Sequence, residues 1–374
     1  MLQTIYAAGN DYQCLDEWIS QNGIRKILLA CGGSIRRLVP LNRKLERLAE
    51  MRVPIIRFQD FQPNPLYESV VQGVMRFRAE KCDAIAAVGG GSAMDVAKCI
   101  RLYANLPGDG TDGGFLDCKA VQPPIPFLAV PTTAGTGSEA TRYAVIYYRG
   151  KKQSISSAFC IPDAVVFDPG CLSTLPLYQR KATMMDAFCH AMESFWSVNS
   201  TEESRNDSRD ALIRILENMD GYLNNTEDGN RNMLLAAHTA GKAINLAQTT
   251  AGHAMCYQIT KLFGCAHGHA AALCDRVLFP WMVRNTSRCT DPRGEAHLVR
   301  VLDEIGQAMG CRDGETGAER FAELFRTLEL DVPRATNEQY RVLTETVHPD
   351  RLKNHPISLD RETIDALYHH ILRQ

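Results

Sequence analysis

The chain has 374 residues, 45% of them hydrophobic and 22% charged, with a formal net charge of −2 at pH 7. That length holds two domains of ordinary size, each with its own core, and the near-neutral balance gives no electrostatic basis for binding nucleic acid or a membrane surface. No apolar run reaches membrane-spanning length, the N-terminal MLQTIYAAGNDYQ lacks the pattern of a secretory signal, and the 13 cysteines are scattered without paired spacing, so a reduced, soluble, cytoplasmic protein is expected.

Residues 1–176 alternate between short apolar runs and amphipathic stretches. RKILLA (25–30), VPIIRF (53–58), DAIAAV (83–88) and PFLAVP (126–131) predict buried parallel strands, with helices over 65–80 and 93–106 between them. The rhythm is that of an α/β, doubly wound sheet. A hairpin is predicted at 143–148 and 152–156, turning at Arg149-Gly150, and a further strand at 164–168. From residue 177 to 374 the pattern is helical throughout, so the domains are predicted as 1–176, α/β, and 177–374, all-α.

Three turns in the first half carry glycine and hydroxyl side chains. The first, ACGGSIRR (30–37), presents Gly32, Gly33 and Ser34 with no acid to accept from a ribose 2′-hydroxyl. Arg36 and Arg37 follow, either to hold a 2′-phosphate or as a solvated helix start. In VGGGSAMDVAK (88–98) a strand runs through three glycines and a serine into a helix, whose N-terminal amides would receive an anion. The fingerprint GxGxxG is not met, because Met94 stands at the third glycine position. PTTAGTGSEAT (131–141) is a second turn of this kind, and two of them suit a dinucleotide laid across a sheet edge.

The second half carries the metal-ligand spacing. In KATMMDAFCHAMESFW (181–196), Asp186 and His190 are four residues apart and share one helix face. In TTAGHAMCYQITKLFGCAHGHAAAL (249–273), a helix over 254–263 stopped by Gly264 advances about 15 Å, and residues 264–267, extended, return roughly as far. His253 and His267 can therefore meet again. An Asp/His pair alone on a helix is more often an ordinary polar pair; with H-x13-H downstream a divalent site weighs equally with that reading, and the two phosphate-cradling turns favour it. One carboxylate and three imidazoles suit Fe²⁺ or Zn²⁺ better than Ca²⁺ or Mg²⁺.

With GGGSxxDxAK, TTxGTGSE, DxxxH and H-x13-H in this order, the chain resembles the iron-containing (group III) alcohol dehydrogenases. FQDFQPNPLYESV (58–70) and the DP-x5-LP stretch from Asp168 to Pro176 extend the resemblance over essentially the whole length. It implies an N-terminal nucleotide-binding domain, a C-terminal helical domain and a homodimer. The metal ligands it implies are Asp186, His190, His253 and His267. Gly90, Gly91, Ser92, Asp95, Thr132, Thr133, Ser138 and Lys152 match its NAD(P)H contacts, joined by Gly32 and Ser34 of the first turn. Many members carry a second histidine four residues after the third ligand; here Tyr257 stands there and would not titrate like an imidazole. Tyr257 and His269 are the candidates for proton delivery, with a structural role open for His269.

The expected chemistry is hydride transfer between nicotinamide and a short aldehyde or alcohol, the divalent ion acting as a Lewis acid. TRYAVIYY (141–148), WSVNSTEESR (196–205) and 252–270 resemble the branch that contains phosphonoacetaldehyde reductases, and reducers of isosteric sulfoacetaldehyde belong to the same broad family. Arg142 is the candidate for an anionic substrate group, its alternative being an ion pair with an acid such as Glu139. A neutral short-chain alcohol is the other substrate class. A lyase resembling dehydroquinate synthase would need basic residues around the metal, and 186–196 contains none.

Overall fold

The computed structural model describes residues 3–9, 11–51, 53–117 and 125–373. The chain divides into two compact units, one of residues 1–133 and 137–174, the other of 134–136 and 175–374.

The first unit is built on strands β1 (Thr4–Ala7), β2 (Ile27–Cys31), β3 (Ile55–Phe58), β4 (Ala84–Gly89) and β5 (Phe127–Pro131), a hairpin of β6 (Tyr143–Tyr148) and β7 (Lys151–Ser156), and β8 (Ala164–Phe167). Helices α1 (Gln13–Gln21), α2 (Val39–Met51), α3 (Tyr67–Ala79) and α4 (Gly91–Tyr103) alternate with them. Six strands form one sheet in the order β1-β8-β5-β4-β2-β3, and every pairing is parallel. β2, β4, β5 and β8 are buried along their whole length, which is why their sequences are apolar runs and not alternations. On one face Leu15 and Trp18 of α1 and Leu41 and Leu45 of α2 pack with Leu29, Val88, Val130 and Val166.

β3 and β4 flank β2 on opposite sides, so the winding reverses between β2 and β4. A doubly wound sheet binds its ligands at the carboxyl ends of strands at such a reversal. The hairpin turns through Arg149 (φ 49°) and Gly150 (φ 74°), both left-handed as a two-residue type I′ turn requires. β1 was not expected from the sequence. Its four residues are exposed or half-buried at the sheet edge, and so leave no buried run to read.

The second unit holds the helices α5 (Leu177–Trp196), α6 (Glu202–Leu223), α7 (Glu227–Ala247), α8 (Ala251–Phe263), α9 (His267–Arg284), α10 (Glu295–Ala308), α11 (Gly314–Thr327), α12 (Asn337–Thr346) and α13 (Arg361–Ile371). α5 is its axis: every residue from Met184 to Trp196 is buried, and α6, α7 and α9 pack around it. Among the described residues no helix is long and apolar enough to cross a membrane. The described cysteines are all free thiols.

Candidate metal centre and dinucleotide loops

In the helical unit the site is assembled from α5 and the beginnings of α8 and α9. Asp186 and His190 project from one face of α5, His253 lies in the first turn of α8, and His267 is the first residue of α9. Gly264 (φ 68°) stops α8 and turns the chain back. One ligand atom each from Asp186, His253 and His267 lie within 4.8 Å of one another. His190 stands outside that tight set, its ring stacked on that of His253 with centroids 4.5 Å apart. Asp186 Oδ1, His190 Nδ1 and His253 Nε2 are buried without a hydrogen-bond partner. Buried polar atoms are normally satisfied, so Asp186 Oδ1 and His253 Nε2, facing each other beside His267, fit a shared cation, while His190 Nδ1 is a further buried atom without a partner.

The charges of the centre act strongly on one another. Burial alone would raise the Asp186 carboxyl, but the imidazoles of His190, His253 and His267 outweigh it and hold the group well below the usual carboxylate range. Burial would lower His253, yet the carboxylates of Glu193 and Asp186 push it up to about 10.

Glu193 is the site residue that the sequence reading missed. Its carboxylate is fully buried and accepts from His253 Nδ1, from the His253 amide at 3.0 Å, and from the Thr250 amide and hydroxyl at 2.5 and 2.8 Å. This fixes the imidazole with Nε2 facing Asp186 Oδ1 at 3.6 Å. The available signal was its spacing, since D-x3-H-x2-E puts all three side chains on one helix face. Behind Glu193, burial and the Glu193 charge push the Asp275 carboxyl well up.

The two candidates for proton delivery part company. Tyr257 lies beside the centre, its ring stacked on that of His267 with centroids 5.4 Å apart. His269 is buried with both ring nitrogens engaged: Nε2 contacts the Asp331 carbonyl at 2.8 Å, and Nδ1 the Tyr178 hydroxyl at 3.1 Å. Tyr178 also accepts from the Ala266 amide at 2.9 Å. His269 is thus part of a brace on the loop before His267, and neither nitrogen is left to serve a substrate.

In the sheet unit the expected dinucleotide contacts gather at strand ends. Gly32 and Ser34 follow β2, Gly90, Gly91 and Ser92 follow β4, and Thr132 and Thr133 follow β5. The last two turns abut: the Thr132 amide donates to the Gly89 carbonyl at 3.0 Å, and a Cβ on Gly90 would sit 3.0 Å from Thr133 Oγ1. α4 starts at Gly91 without a side-chain cap, so its first amides remain available to an anion.

Asp95, expected among the cofactor contacts, has each oxygen engaged within the protein, by the Ser138 hydroxyl at 3.2 Å and the Val145 amide at 3.1 Å. One turn on, the fully buried Lys98 donates to Ser138 Oγ at 2.9 Å and to the carbonyls of Thr141 and Tyr143 at 3.0 and 2.7 Å. Burial pushes Asp95 up and Lys98 down, each shift partly offset by the partner's charge. Together they fasten residues 138–145 to α4 and flank the half-buried Arg142. Lys152, on β7, is half-buried and contributes positive potential at Asp95.

A family model described as iron-containing alcohol dehydrogenase matches residues 3–169, and one described as the C-terminal region of the Fe-containing alcohol dehydrogenase family matches residues 181–372. The phosphonoacetaldehyde reductase of Streptomyces viridochromogenes is 33% identical over 314 residues, 80% of this chain and 79% of that one. Alcohol dehydrogenase 4 of Schizosaccharomyces pombe is 31% identical over 323 residues, covering 83% and 73%. The structure of sulfoacetaldehyde reductase from Bifidobacterium kashiwanohense in complex with NAD+ superposes with a TM-score of 0.85 at 24% identity, over 99% of each chain.

Proposed function

The chain belongs to the iron-containing alcohol dehydrogenase family, and from that premise we propose that it reduces a short anionic aldehyde to the alcohol with a nicotinamide dinucleotide as hydride carrier. The observation that carries this reading is the meeting of Asp186, His253 and His267 donor atoms within 4.8 Å, with buried atoms left unpartnered. In it, Asp186, His190, His253 and His267 hold one divalent ion, and both Fe²⁺ and Zn²⁺ suit that donor set. When bound, the ion supplies Lewis acidity toward a carbonyl oxygen and the reduced nicotinamide supplies hydride.

The chain's own residues do the rest. Glu193 keeps the His253 tautomer, the Tyr178–His269 brace holds the loop that aims His267, and the turns after β2, β4 and β5 take the dinucleotide. No acid stands in the first turn, and the exposed Arg36 and Arg37 follow it, so NADH and NADPH are both candidates. An anionic substrate is supported by similarity to a phosphonoacetaldehyde reductase and by Arg142, whose neighbouring carbonyls Lys98 fixes.

The test is a panel of short aldehydes, charged and neutral, run with both cofactors and metal-reconstituted protein. Phosphonoacetaldehyde or sulfoacetaldehyde is expected to exceed propanal in kcat/KM; no preference for charge would remove the substrate assignment. Arg142→Ala is expected to raise KM for the anionic aldehyde by about tenfold, the scale of one charge-assisted hydrogen bond, and to leave propanal nearly unchanged. His267→Ala is expected to lose metal and activity together while keeping the wild-type circular dichroism. Full activity without metal in that variant would end the metal-centred reading.

A further inference from the structure

Beyond the four expected ligands, a series of stacked groups leads away from the metal donors. The ring of Tyr257 lies 5.4 Å from that of His267, tilted by 25°. The guanidinium of Arg351 lies over the Tyr257 ring, with Cζ 4.6 Å from its centroid. Arg351 is half-buried, and among the described residues no carboxylate pairs with it. The neighbouring Asp350 is occupied by Lys353 and His348. The guanidinium thus keeps its in-plane donors while its face rests on an aromatic ring, an arrangement suited to a tetrahedral oxyanion or a carboxylate.

The segment that carries Arg351 is anchored. Asn354 donates to Gln248 Oε1 at 2.8 Å and to the Thr249 carbonyl at 3.3 Å, just ahead of α8 and His253. Its side-chain carbonyl accepts from Asn199 at 2.8 Å, and its backbone carbonyl accepts from the Val198 amide at 3.0 Å. Arg351 is therefore held relative to the same loop that positions a metal donor.

We infer that Arg351 receives the anionic end of the substrate, making it a specificity-determining residue for short aldehydes that end in phosphonate, sulfonate or carboxylate. This rests on the reductase reading above, and it places a cation in the same unit as the metal donors.

The test compares wild type, Arg351→Ala and Arg351→Gln, the last keeping a planar group over Tyr257 without the charge. Steady-state kinetics on phosphonoacetaldehyde and propanal are read beside metal content and calorimetric titration with 2-hydroxyethylphosphonate. Both variants are expected to retain metal, to lose on the order of 10- to 100-fold in kcat/KM for phosphonoacetaldehyde through KM, to leave propanal nearly unchanged, and to weaken 2-hydroxyethylphosphonate binding by a similar factor. If wild type prefers the anion but Arg351→Gln affects both aldehydes equally, or binds 2-hydroxyethylphosphonate as wild type does, the assignment of Arg351 falls and the reductase reading stands. If wild type shows no preference for the anion, the assignment of Arg351 and the anionic-substrate assignment both fall.

Discussion

Glu193 lies two turns beyond Asp186 on the same face of α5 and accepts hydrogen bonds from both the ring and the amide of His253 and from Thr250. A carboxylate behind an imidazole ligand fixes the tautomer and raises the basicity of the donor nitrogen. Glu193→Gln keeps the size and one acceptor oxygen but removes the charge, so metal affinity is expected to fall by about 10- to 100-fold, read by competition with a chromophoric chelator. Glu193→Ala leaves the amides and the imidazole donor buried without an acceptor, and is expected to cost about 3–5 kcal/mol of stability as well. Wild-type affinity in the glutamine variant would reduce Glu193 to a packing role. Lys98 shows the same logic in the other unit: a fully buried ammonium persists because four oxygens of one loop surround it.

How closely the helices of the centre approach one another depends on two glycines next to its histidines. A Cβ on Gly268 would lie 2.2 Å from the Ala182 carbonyl and 2.4 Å from Asp186 Cβ; on Gly252 it would lie 2.0 Å from an Asp275 oxygen and 2.7 Å from Glu193. The glycines therefore let α8 and α9 bring His253 and His267 against α5. Gly268→Ala is expected to push α9 off α5, lowering stability by about 1–3 kcal/mol and weakening metal binding. Gly264→Ala meets no neighbour and strains only a left-handed turn, costing about 1–2 kcal/mol; its metal affinity is expected to stay closer to wild type. Equal metal affinity in both variants would refute the close-approach argument, which chelator titration and thermal melts of the pair decide. The same elements show what sequence alone conveys. Asp186 and His190 were legible because helical spacing puts them on one face, and His253 with His267 because a glycine-stopped helix returns the chain. For His269 the sequence left a structural role open but not its partner, since that carbonyl belongs to Asp331, far along the chain in a loop. The contact of Arg351 with Tyr257 was not legible for a like reason: nothing near either in sequence marks them as neighbours.

At the scale of the molecule the chain forms two compact units. The central strands announced the first unit because parallel strands covered on both faces are unbroken apolar runs, and α5 to α13 announced the second through helical periodicity alone. All four expected metal ligands belong to the helical unit, and the expected dinucleotide contacts to the sheet unit. Removing the metal should therefore act on one unit and spare the other. At free metal near 100 times its Kd, bound ion contributes about 2.7 kcal/mol to the unit that holds it, so chelation is expected to lower that unit's unfolding midpoint by about 5–10 °C. NADH or NADPH binding, followed by nucleotide fluorescence, is expected to change by less than about a factor of three on chelation, as for sites with little coupling energy, while turnover is lost. Re-adding Fe²⁺ or Zn²⁺ should restore both the midpoint and turnover. If chelation instead abolished nucleotide binding, or left turnover intact, the assignment of the two halves of the reaction to separate units would be wrong.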